Sequence, residues 1–145
     1  MTASDLLAFM DSQTFAVQAS VSPSGSPQAA VIGFVVTERL EIFFDTIDSS
    51  RKAGNLRQNA KVAFVIGGMD GAERTVQYEG VADEPEGAEL QGLKEHYFRR
   101  FPDGPSRQSW PGLIYLRAKP TWIRYSDFSA NPPDIQEFDA AQLRV

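Results

Sequence analysis

Apolar residues recur along this chain mostly at intervals of two, with three stretches where the interval lengthens to that of a helix. Thr2 or Ser4 can cap a first short helix whose Leu6, Leu7, Phe9 and Met10 form one apolar side. Phe15, Val17, Ala19 and Val21 then alternate with smaller or polar residues, which predicts a half-buried strand with those four on its apolar side. The Ser22-Pro23-Ser24-Gly25-Ser26-Pro27 run has the composition of a turn. Beyond it, Ala29 to Val36 is almost continuously apolar and predicts a strand buried on both faces. Thr37-Glu38-Arg39 is the next turn, and Leu40 to Asp45 the third strand.

Ala53, Leu56 and Ala60 restore helical spacing up to about Asn59. Lys61 to Gly67 reads as a fourth strand, Gly68-Met69-Asp70-Gly71 as a loop, and Glu73 to Asp83 as a long fifth strand in which Gly80 marks a bulge or bend. Pro85 suits the first turn of a second long helix, whose Leu90, Leu93, Tyr97 and Phe101 make one stripe before Pro102. Ser106 to Pro111 is a polar connector. Leu113 to Ala118 and Thr121 to Asp127 predict a closing hairpin or consecutive strands around Lys119-Pro120, and Asn131-Pro132-Pro133 opens an extended tail over residues 128–145. Six strands with two to three helices and no internal linker predict one mainly β domain over residues 1–145, an antiparallel barrel. No Gly-x-Gly-x-x-Gly follows a strand, which argues against a dinucleotide-binding Rossmann domain.

Composition narrows the function classes. A chain of 145 residues without cysteine can bury a sizeable core, and has no disulfide, Cys-ligated metal or thiol chemistry. Its net charge of −5 argues against nucleic-acid and membrane-surface binding. The first twelve residues lack the cations and the apolar length of a signal peptide, and no segment approaches a membrane span, which fits a cytoplasmic protein. The only histidine, His96, lies on a helix beside the apolar stripe, where a structural role is the simpler reading. No metal-ligand spacing occurs.

One octapeptide departs from local preference. Asp45-Thr46-Ile47-Asp48-Ser49-Ser50-Arg51-Lys52 joins a strand to a helix and puts two cations in that helix's first turn. A helix N-terminus carries about half a positive charge, so each cation there costs about 0.3–1 kcal/mol unless an anion joins it. Free amides, serine hydroxyls and two cations together make a phosphate cradle, the plainer alternative being two solvated side chains beside an ordinary cap. The window Ser49 to Met69 also carries Arg57 and Lys61 and no acidic residue.

The order of these pieces resembles the pyridoxamine 5′-phosphate oxidase-like FMN-binding split barrels. Ala29-Ala30-Val31-Ile32-Gly33 matches the strand that lines the flavin in that family. Ile42-Phe43-Phe44-Asp45-Thr46 matches the strand ending in Thr, and Ser50-Arg51-Lys52-Ala53 the bend that opens a helix. Asn55 or Asn59 with Lys61-Val62-Ala63, Glu73-Arg74 before Gly80, and Tyr97-Phe98 before Pro102 extend the match.

The resemblance implies a six-stranded antiparallel split β-barrel with FMN at a homodimer interface. It implies that Arg51 and Lys52 grip the phosphate, that the hydroxyls of Ser50 and Thr46 assist beside Asp45, and that the backbone of Ala30, Val31 and Ile32 lies along the ring. Thr75 stands where relatives often carry a flavin-bonding Gln, and Ser106, Gln108 and Trp110 fall in the region that completes the site from the other subunit. The implied activity is hydride transfer at the flavin, with a small-molecule substrate or NAD(P)H as partner. One departure limits this: Ser126 to Pro133 holds no Arg or His where vitamin B6 oxidases grip their substrate's phosphate. A flavin-binding stress protein without a catalytic cycle, and a barrel that takes a deazaflavin (F420) or haem, are the other readings. A lone His96 argues against haem ligation.

Overall fold

A computed structural model describes residues 1–68, 71–139 and 141–143, so Met69 and Asp70 of the expected loop lie outside the described residues. Helix α1 (Ala3–Asp11) opens on a reciprocal cap: Asp5 N–H donates to Thr2 Oγ1 at 3.1 Å and Thr2 N–H to Asp5 Oδ2 at 2.7 Å. Thereafter come strands β1 (Phe15–Val21), β2 (Pro27–Gly33), β3 (Val35–Val36) and β4 (Ile42–Ile47), then helix α2 (Arg51–Gln58). Strands β5 (Lys61–Gly67) and β6 (Arg74–Asp83) precede helix α3 (Gly87–Arg100), the single turn α4 (Gly104–Arg107), β7 (Leu113–Asp127) and β8 (Asp134–Asp139).

All the pairings are antiparallel, in the order β2-β1-β5-β6-β7-β4-β3, with β8 added to β7. The sheet curls around a core of Phe44, Phe64, Ile66, Tyr78, Leu116 and Ile123 and is covered at one end by Leu6 and Met10 of α1. This is the split barrel. A second cluster packs Leu93 and Tyr97 of α3 against Val35 and Phe43. Tyr78 ties the barrel across its interior, its hydroxyl donating to Leu40 O at 2.8 Å and Ala118 O at 3.1 Å.

Four expectations change. The barrel has eight strands rather than six, because the apolar run from Ala29 breaks at Phe34 into β2 and β3, and because the tail contributes β8, paired with β7 from Trp122 to Asp127. The predicted hairpin at Lys119-Pro120 is one uninterrupted strand. Pro120 sits opposite Gly80 at a bulge, where a side chain on Gly80 would approach Lys119 O to 2.5 Å. The connector after Pro102 holds the turn α4, which raises the helix count among the described residues to four.

The fourth change concerns burial. β2 is an edge strand with β1 as its one neighbour in the sheet, so most of Ala29–Val31 is exposed rather than enclosed, and Val31 is 64% exposed. In β1 the period of two is present but its faces are exchanged: Ala16, Gln18 and Ser20 are buried, whereas Phe15 and Val21 are exposed. The reason lies in register. The even residues of β1 share a face with Phe64 and Ile66 of β5 and look into the barrel, while Val17 lies between Val31 and Val65 on the outer face.

Candidate functional site

The bend between β4 and α2 folds as its residues dictate. Ser50 takes extended backbone angles and caps α2, its Oγ accepting from Ala53 N–H at 3.2 Å, while Thr46 Oγ1–H donates to the same Oγ at 3.0 Å. Two of the four orphan amides are accounted for, Ala53 by this cap and Ser50 by Ile47 O at 2.9 Å, and Gly54 N–H to Ser50 O at 3.3 Å is the first intrahelical bond. The amides of Arg51 and Lys52 lie between them and make no hydrogen bond among the described residues.

Neither the guanidinium of Arg51 nor the ammonium of Lys52 has an ion-pair partner among the described residues. That is unlike Arg57 at the other end of the same helix, which Glu84 holds through Nε at 3.1 Å and Nη2 at 2.9 Å. The first turn of α2 therefore concentrates positive potential: two side-chain charges, the helix dipole and two free N–H groups.

Opposite that turn lies the strand wall of a cavity of about 280 Å³, bounded by Arg51 and Lys52 on one side and Gln18, Ser20, Gln28, Ala29 and Ala30 on the other. Asn55, buried on α2, fixes this wall: its Nδ2 donates to Ser20 Oγ at 3.0 Å and to Gln28 Oε1 at 2.9 Å. Single-chain ligand pockets usually run from about 300 to 1,000 Å³, so this cavity accommodates only part of a cofactor-sized ligand.

The expected residues divide into two groups. Ala30, Arg51 and Lys52 line the cavity, with Ser50 and Thr46 joined to one another at the start of its helix wall. Val31 faces out and Ile32 is buried in the core. Asp45 is turned away: its carboxylate accepts from Tyr97 Oη at 3.2 Å and Arg107 Nε at 3.0 Å, and so serves the packing of α3 and α4 on β4. This environment, mainly burial, pushes the Tyr97 phenol well above its ordinary pKa. Thr75 lies in a shallow groove on the outer sheet face with Val17, Val65 and Trp122. Ser106 Oγ donates to Asp103 O at 2.7 Å, Gln108 lies just past α4, and Trp110 is 53% exposed. Within one chain none of these four lines the cavity.

Gln18, Ser20 and Gln28 are site residues that the periodicity concealed, because the apolar members of β1 drew attention to the outer face. Polar residues at alternate positions of a strand were the available signal. His96 is accounted for elsewhere, with Nε2 3.0 Å from Val36 O and Nδ1 3.4 Å from Arg99 Nη2. No group of three or more His, Cys, Asp or Glu side chains is placed to hold a metal among the described residues. No helix there is long and apolar enough to cross a membrane.

Comparison with known proteins agrees with this fold. The pyridoxamine 5′-phosphate oxidase family model matches residues 3–127. No curated protein sequence matches the chain. Among solved structures, a heme binding protein from Mycobacterium smegmatis superposes with a TM-score of 0.83 at 14% identity, over 99% of this chain. The chain spans 60% of that protein's length. A pyridoxamine 5′-phosphate oxidase-related, FMN binding protein from Nostoc punctiforme gives a TM-score of 0.71 at 14% identity, over 94% of this chain and 86% of the other. The heme storage protein HutZ from Vibrio cholerae gives 0.70 at 18% identity, over 83% and 91%. At such identities the shared property is the fold.

Proposed function

The chain belongs to the pyridoxamine 5′-phosphate oxidase family, and from that premise we propose that it is an FMN-binding flavoprotein acting as an oxidoreductase. The observation that carries the reading is the first turn of α2, where Arg51 and Lys52 have no partner among the described residues and their amides are free. A phosphate dianion supplies what this turn lacks. FMN fits the donor set: the cations and amides would hold its phosphate, Ser50 would orient the bend, and the exposed backbone of Ala30 and Val31 would lie along the ring.

When bound, the flavin supplies hydride transfer, and the protein's part is to bind, orient and exclude water. Among the described residues, the titratable side chains that line the cavity are those of Arg51 and Lys52. That also suits a flavin carrier without turnover, and rapid reduction by NADH or NADPH distinguishes an oxidoreductase from a carrier. The reading extends to a homodimer. Val31, Val17 and Val65 form a row across the outer sheet face, with Val31 and Val65 64% and 44% exposed, and an apolar row of this kind is suited to cover by a second copy. The Mycobacterium smegmatis and Vibrio cholerae proteins make haem the second candidate. Against it stands the engagement of both ring nitrogens of His96, away from the cavity.

The test is the visible spectrum of protein purified without added cofactor, with mass spectrometry of the released ligand. A flavin spectrum and the mass of FMN are expected. A Soret band, or a colourless protein that fails to bind added FMN, would overturn the reading.

A further inference from the structure

One amide in the cavity wall is not explained by folding. Gln18 is 1% exposed, stands opposite Ala30 of β2 and Phe64 of β5, and its Nε2 has no hydrogen-bond partner among the described residues. Leucine or methionine would fill that volume without burying a polar group, and a buried carboxamide left unpaired weakens the free protein. The neighbouring polar residues differ, because Asn55 occupies Ser20 Oγ and Gln28 Oε1 as acceptors. Each keeps a free donor, the Ser20 hydroxyl and the Gln28 amide, beside one further lone pair on its oxygen. The cavity thus has two unlike walls: cations on the helix, and neutral donors of Gln18, Ser20 and Gln28 on the strands.

A bare phosphate satisfies only the helix wall. A phosphate attached to a polyhydroxylated chain satisfies both, since hydroxyl oxygens accept from neutral donors without the charge that amides serve less well than guanidinium. We propose that Gln18 is a ligand-binding residue whose carboxamide donates to a hydroxyl oxygen of a phosphorylated polyol, so that the cavity selects such ligands over phosphate alone. The proposal rests on the flavin reading, in which the ribityl chain of FMN is the polyol. It assigns the strand wall a task distinct from that of Arg51 and Lys52.

The experiment uses the full-length chain and its Gln18→Leu and Gln18→Met variants, titrated with FMN, with inorganic phosphate as competitor and thermal melts of the flavin-free proteins. The dissociation constant for FMN should rise about five- to tenfold, the size of one lost hydrogen bond. The inhibition constant of phosphate should not change, and the flavin-free variants should melt at or above the wild-type temperature. A second apolar variant guards against one that packs badly. An unchanged FMN affinity in a folded variant, with FMN bound normally by the wild type, would overturn the role of Gln18 and leave the flavin reading intact. Equal losses for FMN and phosphate would move the contact to the phosphate and overturn the polyol selectivity. A wild type that binds no FMN would overturn both.

Discussion

Arg107 Nε donates to Asp45 Oδ2 at 3.0 Å, with both side chains about one-seventh exposed, and this ion pair fastens α4 to the strand that leads into the cradle. Arg107 Nη1 also donates to Asp103 Oδ2 at 2.6 Å, and Tyr97 Oη donates to the other oxygen of Asp45. β4 therefore has two duties at consecutive residues. Thr46 turns its hydroxyl to Ser50 and the helix start, while Asp45 turns its carboxylate to the opposite side.

Asp45→Asn should separate those duties. It removes the charge facing a largely enclosed Arg107, which costs more than an exposed pair and is expected to lower unfolding free energy by about 1–3 kcal/mol. The flavin affinity of the folded protein should stay within about twofold, because the Asp45 carboxylate shares no partner with Thr46, Ser50 or the cavity residues. Urea unfolding and an FMN titration check the two halves. A large loss of flavin with unchanged stability would return Asp45 to the binding site.

The double change Arg51→Ala and Lys52→Ala should behave in the reverse sense. Hydrogen bonds to charged groups contribute about 1.5–3 kcal/mol each, so FMN affinity should fall by about 100-fold or more. Without ligand the variant should be slightly more stable than the wild type, because each cation opposes the helix dipole by about 0.3–1 kcal/mol. Unfolding curves with and without FMN measure both effects. A variant that retains FMN would count against the cradle.

How far the sequence was legible depends on what each pattern encodes. The bend at Ser50-Arg51-Lys52 could be read because capping and dipole preferences are local, and the structure places the cap on Ser50 as those preferences require. The strands could be counted only approximately. A Pro in a strand usually marks an end, but Pro120 lies at a bulge that Gly80 makes possible, so β7 continues through it. Burial was the least legible property, because an apolar strand at a sheet edge has the same composition as one inside it. Val31 is exposed for that reason, and Gln18 is buried where alternation pointed outward. Of the two, Gln18 lines the cavity, whereas Val31 lies on the outer face of the sheet.

Acid should weaken the protein through its anchored carboxylates. Asp5 is held below its ordinary range first by the Thr2 amide, Glu84 by Arg57, and Asp127 by Ser129. A depressed folded pKa gives stability that is present above the unfolded value and lost as pH falls through the folded one. Unfolding free energy should therefore decline from about pH 4.5 downward, and Glu84→Gln should shallow that decline. The contribution of Glu84 is small because its pair with Arg57 is exposed to solvent. Chemical denaturation across pH 3 to 6 measures the slope, and identical slopes for wild type and variant would dismiss the Glu84 contribution.

The alkaline limb has a Tyr78 component beside that of Tyr97. Burial raises the Tyr78 phenol well above the usual value of 10, with the Glu41 carboxylate adding to the shift. A raised folded pKa means that stability is complete below the unfolded value and is lost as pH climbs above it, because only the unfolded chain readily gives up the proton. Tyr78→Phe should remove that limb's Tyr78 component. It also leaves Leu40 O and Ala118 O without the hydroxyl between them, which should cost about 1–3 kcal/mol at neutral pH. The gap between wild type and variant should thus narrow as pH rises past 10, where the wild type forfeits what the variant never had. Urea midpoints at pH 8 and pH 10.5 test this, and a gap that stays constant or widens would show that Tyr78 is not the group that titrates.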